Sequence, residues 1–182
     1  WTCDVDDSNL DPGGKPASSP KSNNCTILGD QLFTYRIVVA TTGEFWDLNG
    51  GNLMDVLNAL NNRLADMLIP YERDLSMTFV LVDSNDIVMY DHPATDPFPD
   101  PTNTVVSLDD AQFDIEAHFD PAHYDIGHGY HEIICGGSCG FGGLAGVAVG
   151  CRGSKARGYT FQPNDIVDNT VFSHEFGHQL GC

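Results

Sequence analysis

The sequence closes with His174-Glu175-Phe176-Gly177-His178-Gln179-Leu180-Gly181, one residue before its end. Residues four positions apart lie on one face of a helix, so both imidazole rings can reach a single ion. Neutral imidazole is a common zinc ligand, and zinc lowers the pKa of a bound water toward about 7. The spacing therefore predicts a metal-binding helix with His174 and His178 as zinc ligands. Glu175 is predicted to be the general base that takes the proton of that water.

Length, composition and charge exclude two classes of partner. The chain has 182 residues, 41% of them hydrophobic, which is enough for one domain with a buried core. No apolar run approaches the roughly 20 residues that a membrane-spanning helix needs. The formal charge of −18, from 26 acidic and 8 basic residues, argues against nucleic acid as a partner. The oligomeric state cannot be inferred from the sequence.

The cysteines indicate an oxidising compartment. An even number of them suits disulfides, so we expect the protein to be secreted. A local bridge between the first two is expected, and the pairing of the other four stays open. The six are Cys3, Cys25, Cys135, Cys139, Cys151 and Cys182.

Hydrophobic patterning begins only at about residue 31. Residues 1–30 are rich in Asp, Asn, Ser, Pro and Gly and are interpreted as an irregular leader or a pro-segment remnant. Residues 31–182 carry the periodic segments and form the predicted domain. The first residue is Trp1 and no signal peptide is visible, which predicts a mature or truncated piece.

The first half of this domain predicts an α/β fold. Phe33–Ala40 is rich in β-branched and aromatic residues, and its apolar run predicts a strand buried on both faces. Apolar residues at helical spacing follow from Leu53, and Pro70 ends that helix. Met77–Val82 predicts a second strand. The strand–helix–strand order indicates a parallel pair of strands in a sheet flanked by helices.

The second half alternates more weakly. Ile87–Tyr90 predicts a third strand, and Leu108–Phe119 predicts a helix entered from Ser107. Tyr124–His128 predicts a short strand that leaves this helix.

Two other groups of polar residues resemble metal ligands. His128, His131 and Glu132 lie close together, but their spacing matches no ligand set on a helix, which favours ordinary hydrogen-bonded histidines. The Pro-rich loop that follows Tyr90 holds several aspartates whose carboxylates could bind calcium, although the spacing is not that of an EF-hand loop. Calcium therefore stays a possible second cofactor, with Asp91, Asp96 and Asp100 as its ligands.

A glycine-rich segment precedes the metal-binding motif. Apolar residues interrupt the glycines between Leu144 and Val149, which predicts a tight loop followed by an exposed edge strand. Such a strand can accept an extended peptide through backbone pairing. The residues predicted to contact this peptide are Leu144, Ala145, Gly146 and Val147.

The motif His174–Gly181 resembles the metzincin metallopeptidase signature H-E-x-x-H-x-x-G-x-x-H. Within metzincins, Gly143–Cys151 and Ser154–Gly158 resemble the reprolysin, or adamalysin-like, branch. Thr34–Glu44 and Tyr71–Leu75 are similar to segments of bacterial secreted reprolysin-like peptidases, and Tyr124–His128 shares that similarity. The resemblance covers about residues 30–182.

The resemblance implies the upper subdomain of a metallopeptidase catalytic domain over residues 31–182. This would be a twisted mixed sheet with an antiparallel edge strand, flanking helices and an active-site helix. It implies zinc as cofactor, Glu175 as base and proton donor, and Gly181 as the point where the chain leaves the helix. The third histidine of the signature would fall six residues after His178, beyond this sequence. We therefore expect the domain to be incomplete at its C-terminal end and weakly active or inactive alone.

These observations predict a zinc-dependent endopeptidase that hydrolyses internal peptide bonds of extracellular proteins. A peptidase whose third ligand is a distant glutamate is a second interpretation, although Gly181 disfavours it. The non-enzymatic alternative is a secreted binding or scaffold module that keeps the fold without the activity. The presence of Glu175 argues against that module, because a site without catalysis has no need of a base.

Overall fold

Five strands form one sheet in the computed structural model, which describes residues 31–134, 140, 142–164 and 170–181. The strand order is 2-1-3-5-4; neighbouring strands run parallel except the fourth, which is antiparallel to the fifth. The predicted mixed sheet with an antiparallel edge is therefore confirmed. The strands are β1 (Phe33–Thr41), β2 (Met77–Leu81), β3 (Ile126–Ile133), β4 (Gly142–Ala145) and β5 (Gly158–Pro163).

The central strand β1 is buried on both faces, as its apolar run predicts. Ile37 and Val39 pack into one hydrophobic cluster, whereas Val38 and Ala40 pack into a second cluster on the opposite face. Burying one such aliphatic side chain stabilises a fold by about 1.5–3 kcal/mol relative to leaving it exposed. The alternation along β1 thus fixes which helices cover which face of the sheet.

Helices cover both faces of the sheet. One layer contains α1 (Gly43–Leu48), α2 (Leu53–Pro70) and α4 (Thr170–Leu180), and the other contains α3 (Thr104–His118). The helix α2 begins where the sequence predicts, because the side chain of Asn52 accepts a hydrogen bond from the backbone of Asp55. Among the described residues, no helix is both long and apolar enough to span a membrane.

The predicted strand at Ile87–Tyr90 is wrong. A short 3-10 helix occupies Asn85–Val88, and Met89 alone makes an isolated bridge with β1. The cause is the side chain of Asn85, which accepts a hydrogen bond from the backbone N–H of Val39 at 2.8 Å and donates one to its carbonyl at 2.9 Å. This amide takes the position that a paired strand would occupy beyond the end of β2.

Three predicted boundaries also differ. The helix expected from Leu108 begins earlier, at Thr104, and Ser107 lies inside it with its hydroxyl donating to the carbonyl of Asp100. The short strand expected at Tyr124–His128 is the longer β3, which includes His131 and Glu132. The edge strand β4 ends at Ala145, so Gly146 and Val147 follow it. Residues 1–30 lie outside the described residues, so the predicted leader and the Cys3–Cys25 bridge stay predictions.

Candidate active site

The helix α4 presents different chemistry on its two sides. Phe172, Phe176 and Gln179 are buried, at the i, i+4 and i+7 spacing of one helical face, and they point at the sheet. His174 is exposed and His178 is partly exposed. The apolar face therefore anchors α4 and leaves two imidazoles accessible.

The two imidazole rings lie side by side. The ring centroids of His174 and His178 are 4.4 Å apart, with the planes inclined at 80°. Accessible neutral imidazoles at this separation fit a shared zinc ion, which takes nitrogen ligands in a tetrahedral arrangement. Within the described part of the chain, no group of three or more His, Cys, Asp and Glu residues could hold a metal. His174 and His178 as zinc ligands therefore stay a prediction.

Glu175 lies against the backbone of the edge strand. A Cβ atom built on Gly143 would stand 2.3 Å from Cγ of Glu175 and 2.6 Å from its Oε1, so only glycine leaves room for this carboxylate. Burial raises the pKa of the Glu175 carboxyl above its ordinary value, and the neighbouring His174 and His178 offset part of that rise. A carboxyl whose pKa is raised toward neutrality exchanges protons with water more effectively near pH 7.

The edge strand β4 runs beside this carboxylate. Gly143 pairs with Thr160 of β5, and Leu144 pairs with Tyr159. β4 is the last strand in the sheet order, so its outer edge pairs with no strand among the described residues. Of the four residues predicted to contact a peptide, Leu144 and Ala145 lie in β4, whereas Gly146 and Val147 follow it. Their contact with a peptide stays a prediction.

The C-terminal turn of α4 is tied to the loop that follows β4. The backbone N–H of Ala148 donates to the carbonyl of His178 at 2.8 Å, and that of Gly150 donates to the carbonyl of Gln179 at 2.8 Å. These bonds satisfy carbonyls that a helix end leaves without a partner. Gly181 has a φ of +99°, a left-handed conformation that suits glycine and turns the chain away from the helix.

The histidines of β3 are buried and hydrogen-bonded, as predicted. His128 contacts Gln179 and Thr160, and Nδ1 of His131 lies 2.8 Å from the hydroxyl of Thr42. Burial lowers the pKa of each imidazole to about 4. Both rings are therefore neutral near pH 7. Glu132 on the same strand forms an ion pair with Arg63 at 2.7 Å.

Carboxylates of the acidic loop accept hydrogen bonds from protein groups. The two carboxylate oxygens of Asp96 accept hydrogen bonds from the backbone of Gly43 and Phe98, and Asp100 accepts one from Thr102. No cluster of three acidic or histidine ligands is found in the described residues. Nothing in this part of the chain supports the predicted calcium.

Sequence reasoning missed two residues that shape the site. Gly143 belongs to the glycine-rich segment and to the Gly143–Cys151 resemblance, and neither predicts its contact with Glu175, which joins residues far apart in the chain. Gln179 carried a usable signal, because it shares the helical face of Phe172 and Phe176. A polar side chain on an apolar face must find hydrogen-bond partners when it is buried.

Two of three comparisons with known proteins find a similarity. A model of the metallo-peptidase family M12B, reprolysin-like, matches residues 32–182. A search of curated proteins finds no match. Among solved structures, one described as the structure of a chaperone-substrate complex matches with a TM-score of 0.53 at 14% identity. The match covers 83% of this chain but only 24% of that one, and at this identity it supports the fold alone.

Proposed function

The chain belongs to the reprolysin-like metallopeptidase family M12B, and from that membership we propose that it is a zinc-dependent endopeptidase. Its substrates are internal peptide bonds of extracellular proteins. The observation that carries the proposal is the arrangement on α4, where His174 and His178 lie side by side and Glu175 is buried between them and β4. A non-catalytic fold has no need of a buried carboxylate beside two accessible imidazoles.

Each side chain of the motif has a distinct role in this proposal. When bound by His174 and His178, zinc would supply Lewis acidity and a water of lowered pKa. Glu175 takes the proton of the attacking water and later gives it to the leaving amine. Burial raises the pKa of this carboxyl, which strengthens it as an acceptor of the water's proton.

The substrate peptide lies along β4 in an extended form. The outer edge of this strand offers backbone N–H and C=O groups, so an added strand would gain main-chain hydrogen bonds. Leu144 is 37% exposed and provides an apolar contact within β4. The small residues of this strand leave the backbone open to a second chain.

The protein acts outside the cell in this proposal. Cys151 is disulfide-bonded, and every other cysteine lies outside the described residues. Disulfides persist in oxidising compartments, which supports secretion. The strongly acidic composition, with a net charge of −18, favours solubility.

The decisive experiment separates zinc binding from catalysis in the full-length protein. Glu175→Ala should retain zinc, measured by elemental analysis, and should lose about 100- to 10,000-fold of its cleavage rate on an unfolded protein substrate. Glu72→Ala is a matched control, because that carboxylate is exposed and accepts a hydrogen bond from the hydroxyl of Thr78. Retained turnover in Glu175→Ala would overturn the base assignment. A full-length protein that neither binds zinc nor cleaves would instead be the non-catalytic module.

A further inference from the structure

We propose that the hydrogen-bonded side chains of Gln179, His128 and Thr160, here called the relay, fix the position of α4 along its own axis relative to the sheet. The relay sets where His178 and Glu175 stand relative to β4, and it deepens the proposed peptidase function, on which it rests. None of the three touches the zinc or the substrate in this proposal. They act by holding the helix that carries the ligands.

Gln179 joins α4 to two separate segments. Its side chain is fully buried, and Nε2 donates to the carbonyl of Gly127 at 2.8 Å and to that of Lys155 at 3.2 Å. Its Oε1 lies 2.8 Å from Nδ1 of His128. All three polar positions of the amide are thereby occupied. Because Gln179 directly follows His178, these bonds act within one residue of a metal ligand.

The bonding pattern determines the tautomer of His128. Both hydrogens of the Gln179 amide point at carbonyl oxygens, so Oε1 faces the imidazole as an acceptor and Nδ1 must carry the hydrogen. The other nitrogen, Nε2, then accepts from the hydroxyl of Thr160 at 2.9 Å. Burial keeps this ring neutral, so Thr160 donates to His128 and His128 donates to Gln179.

The relay is connected to Glu175 through the edge strand β4 as well as through α4. Thr160 pairs with Gly143 between β5 and β4, and the carboxylate of Glu175 rests on Gly143. Thr160 is thus linked to Glu175 in two ways: by the backbone pairing of β5 with β4, and by His128 and Gln179 through α4. A shift of α4 along its axis would therefore break hydrogen bonds at Gln179 and move Glu175 away from β4.

Apolar packing alone would not fix the position of α4 along its axis. The ring of His128 stacks on Phe176 with centroids 4.9 Å apart, and such contacts tolerate sliding because the hydrophobic effect is non-directional. Hydrogen bonds are directional, and a buried donor or acceptor that loses its partner is costly. Gly158 leaves the room that this hydrogen bond needs, because a Cβ atom on Gly158 would lie 2.4 Å from both Oε1 of Gln179 and Nδ1 of His128.

The test replaces the amide by an apolar group of similar size in the full-length, zinc-loaded protein. We expect Gln179→Leu to raise the zinc dissociation constant about tenfold, the low end of what an outer-shell partner contributes. Competition with a chromophoric chelator measures this constant. The same variant should lower kcat while KM stays within about twofold, because the substrate strand is not altered. Asn85→Leu is the matched control: Asn85 is also a buried amide, but it bonds the backbone of Val39 in β1 and none of the groups that Gln179 bonds.

A conservative pair keeps the test decisive if Gln179→Leu fails to fold. Thr160→Val removes the hydroxyl that begins the relay, whereas Thr160→Ser keeps it. Thr160→Val should weaken zinc binding and shift the visible spectrum of the cobalt-substituted protein, and Thr160→Ser should restore both. Equal zinc affinity in Thr160→Val and Thr160→Ser, or in folded Gln179→Leu and the unaltered protein, overturns the relay. Failure of the unaltered protein to bind zinc overturns the proposed function instead.

Discussion

The two pairs of histidines in this chain share a residue type and differ in almost every physical property. His174 and His178 lie one turn apart on α4, with rings in contact and open to solvent. His128 and His131 lie on β3, are at most 1% exposed, and bond protein groups. The difference teaches that burial and partners, more than the imidazole itself, decide whether a histidine binds a metal or supports a fold.

The largest expected effect separates the two pairs by zinc affinity. His178→Ala removes a direct ligand, so its zinc dissociation constant should rise by more than about 100-fold, beyond the range for an outer-shell partner. The same loss of a ligand in His174→Ala, whose side chain is exposed, should change the free energy of unfolding without metal by less than about 0.5 kcal/mol. Isothermal titration with zinc and chemical denaturation measure the two quantities. An equal loss of affinity in His131→Ala, whose side chain lies on β3, would erase the distinction between the pairs.

The buried pair should make the stability of the fold depend on acid. Burial lowers the pKa of His128 from 6.5 to about 4, so the unfolded chain binds a proton that the folded chain refuses in this range. The contribution is fully present above pH 6.5 and is lost as the pH falls to 4, by about 3 kcal/mol. The free energy of unfolding of His128→Gln should therefore fall less steeply between these values. Carboxyls such as Asp114 titrate in both proteins alike, and identical slopes would contradict the buried neutral ring.

A smaller effect is expected from filling the space that Gly143 leaves for the carboxylate of Glu175, the proposed base beside the exposed pair. In Gly143→Ala the new methyl group meets Glu175, so the carboxylate must move while His174 and His178 stay in place. A displacement of this size should lower kcat by about 10- to 100-fold and leave the zinc content unchanged. Steady-state kinetics with elemental analysis checks this, and Gly153→Ala is the control because a Cβ there meets no atom within 4 Å. An unchanged kcat would show that the base tolerates the shift.

Local patterns in the sequence predicted the central strand β1 and the helices α2 and α4. The apolar run of Ile37–Ala40 required a central strand, and the stripe that follows Asn52 required a helix, because each buries its own face. The spacing of His174 and His178 likewise encoded their proximity, since a helix turn is a local structure. These features depend on neighbours within a few residues, which is the range over which periodicity is informative.

Long-range partners account for what the sequence did not reveal. Ile126–Ile133 contains glycines, histidines and a glutamate, so it lacks the apolar pattern of a buried strand, yet it is one. His128 is accommodated there by Gln179, 51 residues away, and by Thr160, 32 residues away. The helical turn at Asn85–Val88 likewise depends on contacts with Val39. A polar residue can be buried wherever the fold supplies its partner, and that supply is not visible in a local window.

The helix α4 has eleven residues and carries Gly177 in its middle. A helix this short is marginal in water, and an internal glycine weakens it further. A synthetic peptide of Thr170–Leu180 would thus be a flexible chelator without a fixed one-turn distance between its imidazoles. A metal ion that binds only the folded helix raises the melting temperature of the whole domain. Removing the ion with a chelator and heating the protein therefore shift the same equilibrium between folded and unfolded states.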